Sequence, residues 1–411
     1  MQAAGGTPSG WGVRQLGELG SVVRGASPRP AGDPRFFDGD FIPWLTVAAL
    51  TNIPDHQLIV YETATSLTAA GAQHSRTLPT GTLIIANSGA TLGVAKLLGM
   101  TCCANDGIAA ILNQQLGDKA YVSYCINRLT RELREVVATG NGQPNLNTGL
   151  IREIAIPFPP AAEQRAIAEA LGDVDTLLAG LDRLIAKKRD LIQAAMQQLL
   201  TGQMRLKGLH TEWVHTTLGE LFAFKNGLNK AKHFFGFGTP IVNYMDVFSN
   251  GKIVCTRLAG RVSLSKQELS NFDVRKGDVL FTRTSETPEE VGLAAVIGDE
   301  PSETVFSGFL LRARPRSRVL CDEFKAYCFR SSFVRSQIVS KASYTTRALT
   351  NGRLLSGVVL PVPPLAEQAA IAAALSDMDT EILALETRRD KTRALKQAMM
   401  QELLNGRIRL I

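Results

Sequence analysis

Residues 157–171 read PFPPAAEQRAIAEAL and residues 361–375 read PVPPLAEQAAIAAAL. Setting Pro160 on Pro364 fixes an offset of 204 residues, which holds without a gap to the last residue. Roughly half of the paired positions are identical, among them Glu163/Glu367, Gln164/Gln368, Asp173/Asp377, Asp175/Asp379, Gly202/Gly406 and Arg205/Arg409. A unit of about 200 residues is too long for a solenoid repeat and has the size of a domain. Trp11 opens WGVRQLGEL and Trp213 opens WVHTTLGEL, so the duplication includes the segments that precede each stretch.

Each stretch reads as a long helix. Pro157, Pro159 and Pro160 hold the approach extended, and Glu163 then falls in the first turn, where the helix dipole favours an anion. Apolar residues recur at spacings of four and three through Ile167, Leu171, Val174, Leu178, Leu181, Ile185, Ile192, Ala195 and Leu199, interrupted at Lys188. That is a coiled-coil seam. The copy keeps it through Ile371, Leu375, Met378, Ile382 and Leu385, loses it at Arg389, Thr392 and Lys396, and regains it at Met399 and Leu403. Gly202 and Gly406 supply the stops. About 40 residues at ~1.5 Å each give a rod of roughly 60 Å. Two such rods in one chain most simply pack antiparallel with a domain at either end, which implies a pseudo-twofold axis. Packing of each helix on its own domain alone is the competing arrangement.

The segments between are mostly strand-like. FIPWLTVAAL (41–50), GTLIIANSG (81–89) and GVAKLLG (93–99) are answered by TPIVNYMDV (239–247), GDVLFTRTS (277–285) and GLAAVIG (292–298), with helical stretches at 121–137 and 323–339. The expected fold class is α+β: two similar α/β domains separated by two long helices packed as an antiparallel coiled coil. The boundaries are a flexible tail at 1–10, a first domain at 11–156, a central helical region at 157–207, a second domain at 208–360 and a C-terminal helical region at 361–411.

Composition narrows the function. No run of about 18 apolar residues marks a membrane span, and the N-terminus lacks the basic and apolar regions of a signal peptide. Six cysteines without a C-x-x-C pair read as reduced, mostly buried thiols of a cytoplasmic protein. Residues 213–360 carry 20 Lys/Arg against 13 Asp/Glu while the other segments balance, so the whole excess of +7 lies there. A basic face of this kind attracts a polyanion such as nucleic acid.

These features come together in a known family. The stretches at 156–175 and 360–379, with LPTGTLIIANSGATLGVA (78–95) and VRKGDVLFTRTSETPEEVG (274–292), resemble the specificity (S) subunit of type I restriction-modification systems, over nearly the whole chain. The resemblance implies two target-recognition domains, each reading one half of a split, asymmetric site on double-stranded DNA. It also implies helices that set the spacer and dock two modification (methyltransferase) subunits, with restriction (motor-nuclease) subunits joining them in host defence. Half-sites one helical turn apart span roughly 34–36 Å, within reach of such a rod. The subunit itself is expected to be non-catalytic and to hold no cofactor; S-adenosylmethionine, ATP and Mg would belong to the partner subunits. A coiled-coil adaptor with no role in DNA reading is the alternative.

The residues agree that catalysis lies elsewhere. There is no G-x-x-x-x-G-K-[ST] phosphate loop, and the Pro-Pro pairs lack the preceding Asn or Asp of an amino-methyltransferase motif. Glu323-Phe324-Lys325 with Asp299 is a chance-level nuclease match, read as the exposed start of a helix. His56, His74, His210, His215 and His233 show no metal-ligand spacing and suit surface or turn positions.

DNA contacts are expected from polar loops. In the first domain these are Asn87, Ser88, Thr91, Asn141, Gln143, Asn145 and Asn147. In the second they are Arg283, Thr284, Ser285, Glu286, Lys341, Tyr344, Thr345, Thr346 and Arg347, with Lys225, Lys230 and Lys232 on phosphates. Helix pairing and partner docking fall to Glu163, Gln164, Ile167, Leu171, Leu181, Glu367, Gln368, Ile371, Leu375 and Leu385.

Overall fold

In the computed structural model, which describes residues 8–89, 91–137, 145–209, 211–344 and 346–410, the chain divides into two compact units. One takes residues up to 185 and those from 385 onward, the other residues 186–384.

The first unit is built on a five-stranded sheet of β1 (Ser21–Arg24), β2 (Ile59–Val60), β3 (Leu83–Ala86), β4 (Ala95–Leu98) and β5 (Ile108–Leu112), ordered β1-β5-β3-β4-β2. Strand β3 reads LIIA without alternation because both sheet faces are covered. Leu83 and Ile85 pack with helix α1 (Lys119–Glu132), while Ile84 and Ala86 pack with Leu45, Val60 and Leu98. FIPWLTVAAL is strand only up to Leu45; Val47–Thr51 is a short helix capped by Thr46. The stretch at 121–137 is α1 followed by a wider helical turn, Leu133–Val137.

Helix α2 (Ala161–Leu199) then runs 39 residues. In the second unit the sheet is rebuilt from β6 (Phe222–Asn226), β7 (Lys252–Ile253), β8 (Val279–Thr282), β9 (Ala294–Ile297) and β10 (Leu310–Pro315), ordered β6-β10-β8-β9-β7, the same topology as the first. TPIVNYMDV splits as FIPWLTVAAL does, into strand Phe235–Val242 and helix Tyr244–Phe248. The stretch at 323–339 is two helices, α3 (Asp322–Cys328) and Ser332–Lys341, the second capped by Ser331. The chain closes with α4 (Leu365–Leu403), again 39 residues.

Within each unit a segment of α2 and a segment of α4 run antiparallel. In the first unit Lys396 Nζ lies 2.5 Å from Asp175, and Asp182 faces Arg389 at 3.5 Å and Arg393 at 3.4 Å. In the second, Lys188 meets Glu381 at 2.7 Å. The seam residues Ile167, Leu171, Leu178, Leu181, Ile185, Ile371, Leu375 and Ile382 are buried as the spacing requires. The interruptions at Lys188, Arg389 and Lys396 are therefore not gaps in packing. Each is a cation opposite a carboxylate of the facing helix, and Thr392 turns its hydroxyl onto its own helix at Arg388 O.

The repeated Glu-Gln pair joins each long helix to its domain. Gln164 donates to Pro159 O at 2.8 Å and accepts the amide of Asp118, the N-cap of α1, at 2.8 Å. Gln368 likewise donates to Pro363 O at 2.8 Å and accepts the amide of Cys321, the N-cap of α3, at 2.9 Å. Glu163 accepts the indole N–H of Trp11 at 3.0 Å and both arms of Arg409 at 2.5 and 2.8 Å. Glu367 accepts Trp213 at 3.0 Å and Arg205 at 2.6 and 2.7 Å. The arginines reach these positions because Gly202 and Gly406, at φ +73° and +66°, turn the chain back at the helix ends. A second bolt repeats too: Tyr124 donates to Asp175 and Tyr327 to Asp379, each at 2.7 Å.

Several expectations are corrected here. Lys325 is not at an exposed helix start: its ammonium is buried between Gly277 O and Asp322, so the E-x-K match has no open site. Asp299 accepts the amides of Cys255 and Thr256. His56 is buried, not a surface residue, and stands 3.7 Å from Asp182. Burial pushes its pKa down. His210 lies outside the described residues. The cysteines are free thiols, Cys321 half-buried and the other five buried.

Candidate nucleic-acid interface

Several of the polar residues singled out in the sequence, among them Ser88 and Asn145 in one unit and Arg283, Thr284 and Tyr344 in the other, gather at one end of each five-stranded sheet. In the second unit the register of Thr282 with Leu310 and of Asn226 with Leu311 puts the end of β8, the start of β10 and the end of β6 side by side. Arg283 leaves β8 there. Its amide donates to Phe309 O at 2.9 Å and its carbonyl accepts Thr350 N at 2.9 Å, which brings the 343–350 arm alongside. Thr284 then pairs with Leu349, and Ser343 and Tyr344 pair with Leu349 and Ala348. The 227–230 loop joins them through the Gly308 amide on Leu228 O at 2.7 Å.

The side chains differ in availability. Arg283 is half-buried, and its guanidinium has no hydrogen-bond or ion-pair partner among the described residues, so it is free to take a bidentate base or phosphate contact. Lys225, Lys232, Lys341, Tyr344, Thr346 and Arg347 are exposed. Glu286 and Arg347 stand 3.7 Å apart at 85% and 62% side-chain exposure, a weak pairing that a phosphate can displace. Two assignments are corrected. Lys230 is engaged with Ser263 O and Glu268, both at 2.9 Å, and covers the Phe234 ring, so it is not free for a phosphate. Ser285 is buried and donates to Glu290 at 2.9 Å, which makes it a support for the loop. Thr345 lies outside the described residues.

The first unit builds the same place from other residues. Asn87 leaves β3, its amide donating to Gly107 O at 2.9 Å and its carbonyl accepting Leu146 N at 2.8 Å. These are the bonds that Arg283 makes to Phe309 and Thr350. Ser88 forms a bridge to Asn145, and both reach solvent. Asn87 itself is buried, with Nδ2 on Asp106 O at 3.3 Å; its Oδ1 and the hydroxyl of buried Thr91 have no hydrogen-bond partner among the described residues. Asn87 and Thr91 therefore shape the loop from beneath and do not project from it. Asn147 caps the helix Thr148–Arg152 by accepting the Leu150 amide at 2.9 Å, so turn chemistry explains it. Asn141 and Gln143 lie outside the described residues. Sequence reasoning missed a polar cluster at this edge: Asp106 accepts from the Ser27 hydroxyl at 2.8 Å and stands 3.5 Å from Arg29, while Arg24 donates to its carbonyl. Only the sheet register, which aligns Arg24 with Ala109, brings these residues to Asn87.

The helix residues face inward. Glu163, Gln164, Ile167, Leu171, Leu181, Glu367, Gln368, Ile371 and Leu375 are buried and Leu385 is half-buried. They serve pairing and domain attachment, and their buried side chains are not offered to a partner. Leu177, Leu184, Leu191 and Leu383 of the same helices are exposed. Among the described residues no three His, Cys, Asp or Glu side chains form a metal-holding group, and no helix is long and apolar enough to cross a membrane.

The sequence profile of the type I restriction modification DNA specificity domain matches residues 8–187 and again 210–393. The chain is 23% identical over 390 residues to the type I restriction enzyme EcoKI specificity subunit of Escherichia coli (strain K12), covering 90% of this chain and 82% of that one. It is 20% identical over 426 residues to the StySPI specificity subunit of Salmonella potsdam, covering 98% and 90%. Among solved structures, one described as the structural basis of complex assembly and conformational transition of the type I R-M system aligns with a TM-score of 0.64 at 18% identity, over 98% of this chain and all of that one. The crystal structure of a type I S subunit from M. genitalium aligns with a TM-score of 0.54 at 14% identity, over 96% of each. With the profile matching both halves and the fold shared along nearly its whole length, the chain belongs to the family of type I restriction-modification specificity subunits.

Proposed function

We propose that this chain is the target-recognition subunit of a type I restriction-modification complex, that each globular domain reads one half of a bipartite, asymmetric DNA site, and that the paired helices set the spacer. The observation that carries the reading is the shared sheet end: one backbone frame presents Ser88 and Asn145 over Asn87 in the first domain, and Arg283, Thr284 and Tyr344 in the second. A common frame with different side chains is what two readers of different half-sites require. The cations Lys225, Lys232, Lys341 and Arg347 take phosphates, and the basic excess of residues 213–360 makes the second domain the stronger source of nonspecific affinity.

Catalysis falls to partners. S-adenosylmethionine would be held by two modification subunits docked on exposed helix faces, and ATP and Mg by restriction subunits, in the cytoplasm. An adaptor with no role in DNA reading leaves the family match and the duplicated sheet ends without explanation. Sequencing of DNA captured by the purified chain, with its modification subunits, from a random duplex library in excess nonspecific competitor tests the reading. The expected result is an enriched split motif with two unlike halves. Unselected DNA in the bound fraction would refute it.

A further inference from the structure

Phe309 stands out at the sheet end of the second unit. It is 60% exposed between Phe306 and Leu310, both fully buried, so the core does not use its ring. A single exposed phenylalanine is ordinary on a protein surface. This one is held in a fixed place beside a free cation. Its carbonyl accepts the Arg283 amide at 2.9 Å, its amide lies 3.4 Å from the Ser307 hydroxyl, and the neighbouring Gly308 amide is fixed on Leu228 O at 2.7 Å. A Cβ at Gly308 would run into Asn229, so the turn next to Phe309 is closely packed. The matching residue of the first unit is Gly107, whose carbonyl accepts the Asn87 amide. A Cβ there would meet Val47 and Ser88, leaving no room for a side chain.

We infer that Phe309 is a specificity-determining DNA contact of the second recognition domain, an apolar group placed on the bases beside Arg283 at a position that the first domain fills with Gly107. The inference rests on the DNA-reading function proposed above. The adjoining Arg283 and the basic excess of residues 213–360 favour a duplex over an apolar protein surface. Two chemistries are open to an aromatic ring at a groove: contact with the C5-methyl of a thymine, or insertion as a wedge between base pairs.

The test uses the full chain with its modification subunits and a duplex carrying its selected site. Phe309→Ala should weaken binding to that site on the order of tenfold while leaving affinity for nonspecific DNA, its salt dependence and the base preferences of the first half-site unchanged. Phe309→Trp should retain most of the specific affinity. Replacing thymines of the second half-site by uracil weakens wild type but not Phe309→Ala if the ring sits on a methyl. 2-Aminopurine in that half-site brightens on binding to wild type but not to the variant if the ring is a wedge. Either signal supports the contact. Absence of both, unchanged target affinity in Phe309→Ala, or an equal loss on target and nonspecific DNA overturns it. If wild type itself shows no target preference, the underlying DNA-reading function is what fails.

Discussion

Arg409→Ala and Glu163→Ala remove opposite halves of one ion pair, yet their costs should differ. The Glu163 side chain is 3% exposed and that of Arg409 37%. Without Arg409 the carboxylate stays buried with the Trp11 indole as its remaining side-chain donor, and a buried charge that loses its partner costs more than a stranded neutral donor. Without Glu163 the guanidinium rehydrates, and the main loss is the stranded Trp11 N–H, about 1–3 kcal/mol. The pH dependence should reverse as well. In wild type the hydrogen bonds from Arg409 hold the Glu163 pKa below its ordinary value of 4.5. That stabilisation is fully present above the unfolded-state value and is lost as pH falls through the depressed folded value. In Arg409→Ala burial is the largest remaining influence and should push the folded value above the unfolded one, so this variant should lose stability as pH climbs through that interval. Urea unfolding followed by far-UV circular dichroism at pH 4 and pH 7 reads both effects. The gap between wild type and Arg409→Ala should widen toward pH 7. A cost for Glu163→Ala equal to or above that of Arg409→Ala, or a gap independent of pH, would refute the reasoning.

Three further outcomes follow from the same geometry. Lys96 is buried with Nζ on Pro54 O and Gln57 O at 2.9 and 2.6 Å, and burial lowers its pKa to about 8. Because this folded value lies below the unfolded one of 10.5, wild type should gain stability relative to Lys96→Met as pH rises from 8 to 10.5; a constant difference in melting temperature would count against it. A double-mutant cycle on Asp175 and Lys396, 2.5 Å apart and 8% and 12% exposed, should give a coupling of about 2 kcal/mol, and a value near zero would mean the helices do not pair there. Inserting a whole helical turn into α2 together with its matching turn in α4 should lengthen the spacer of the selected DNA site, and an unchanged spacer would remove the helices from that role.

The duplicated stretch was the most legible part of the chain. Local rules suffice for it: prolines before the helix, an acid in the first turn, a three-four seam, glycine at the stop. The purpose of Glu163 and Gln164 was not legible, because their partners Trp11, Asp118 and Arg409 are distant in sequence and only tertiary packing brings them together. The seam breaks at Arg389 and Lys396 become intelligible once the antiparallel register places Asp182 and Asp175 opposite them. At the sheet ends, residue type alone suggested Asn87, Asn147, Ser285 and Lys230, but type does not tell a projecting side chain from a buried support, a helix cap or an engaged cation. Phe309 is apolar, so no pattern of polar side chains includes it; only its exposure and its backbone bond to Arg283 single it out.

Two unlike readers carried on the same pair of helices should be exchangeable one at a time. Residues 213–360 can be exchanged for the corresponding domain of another specificity subunit, and methylated bases then mapped by single-molecule sequencing in cells that also supply the modification subunits. The account predicts a methylated motif in which one half-site changes while the other half and the spacer stay as they were. A change in both halves, or in neither, would contradict it.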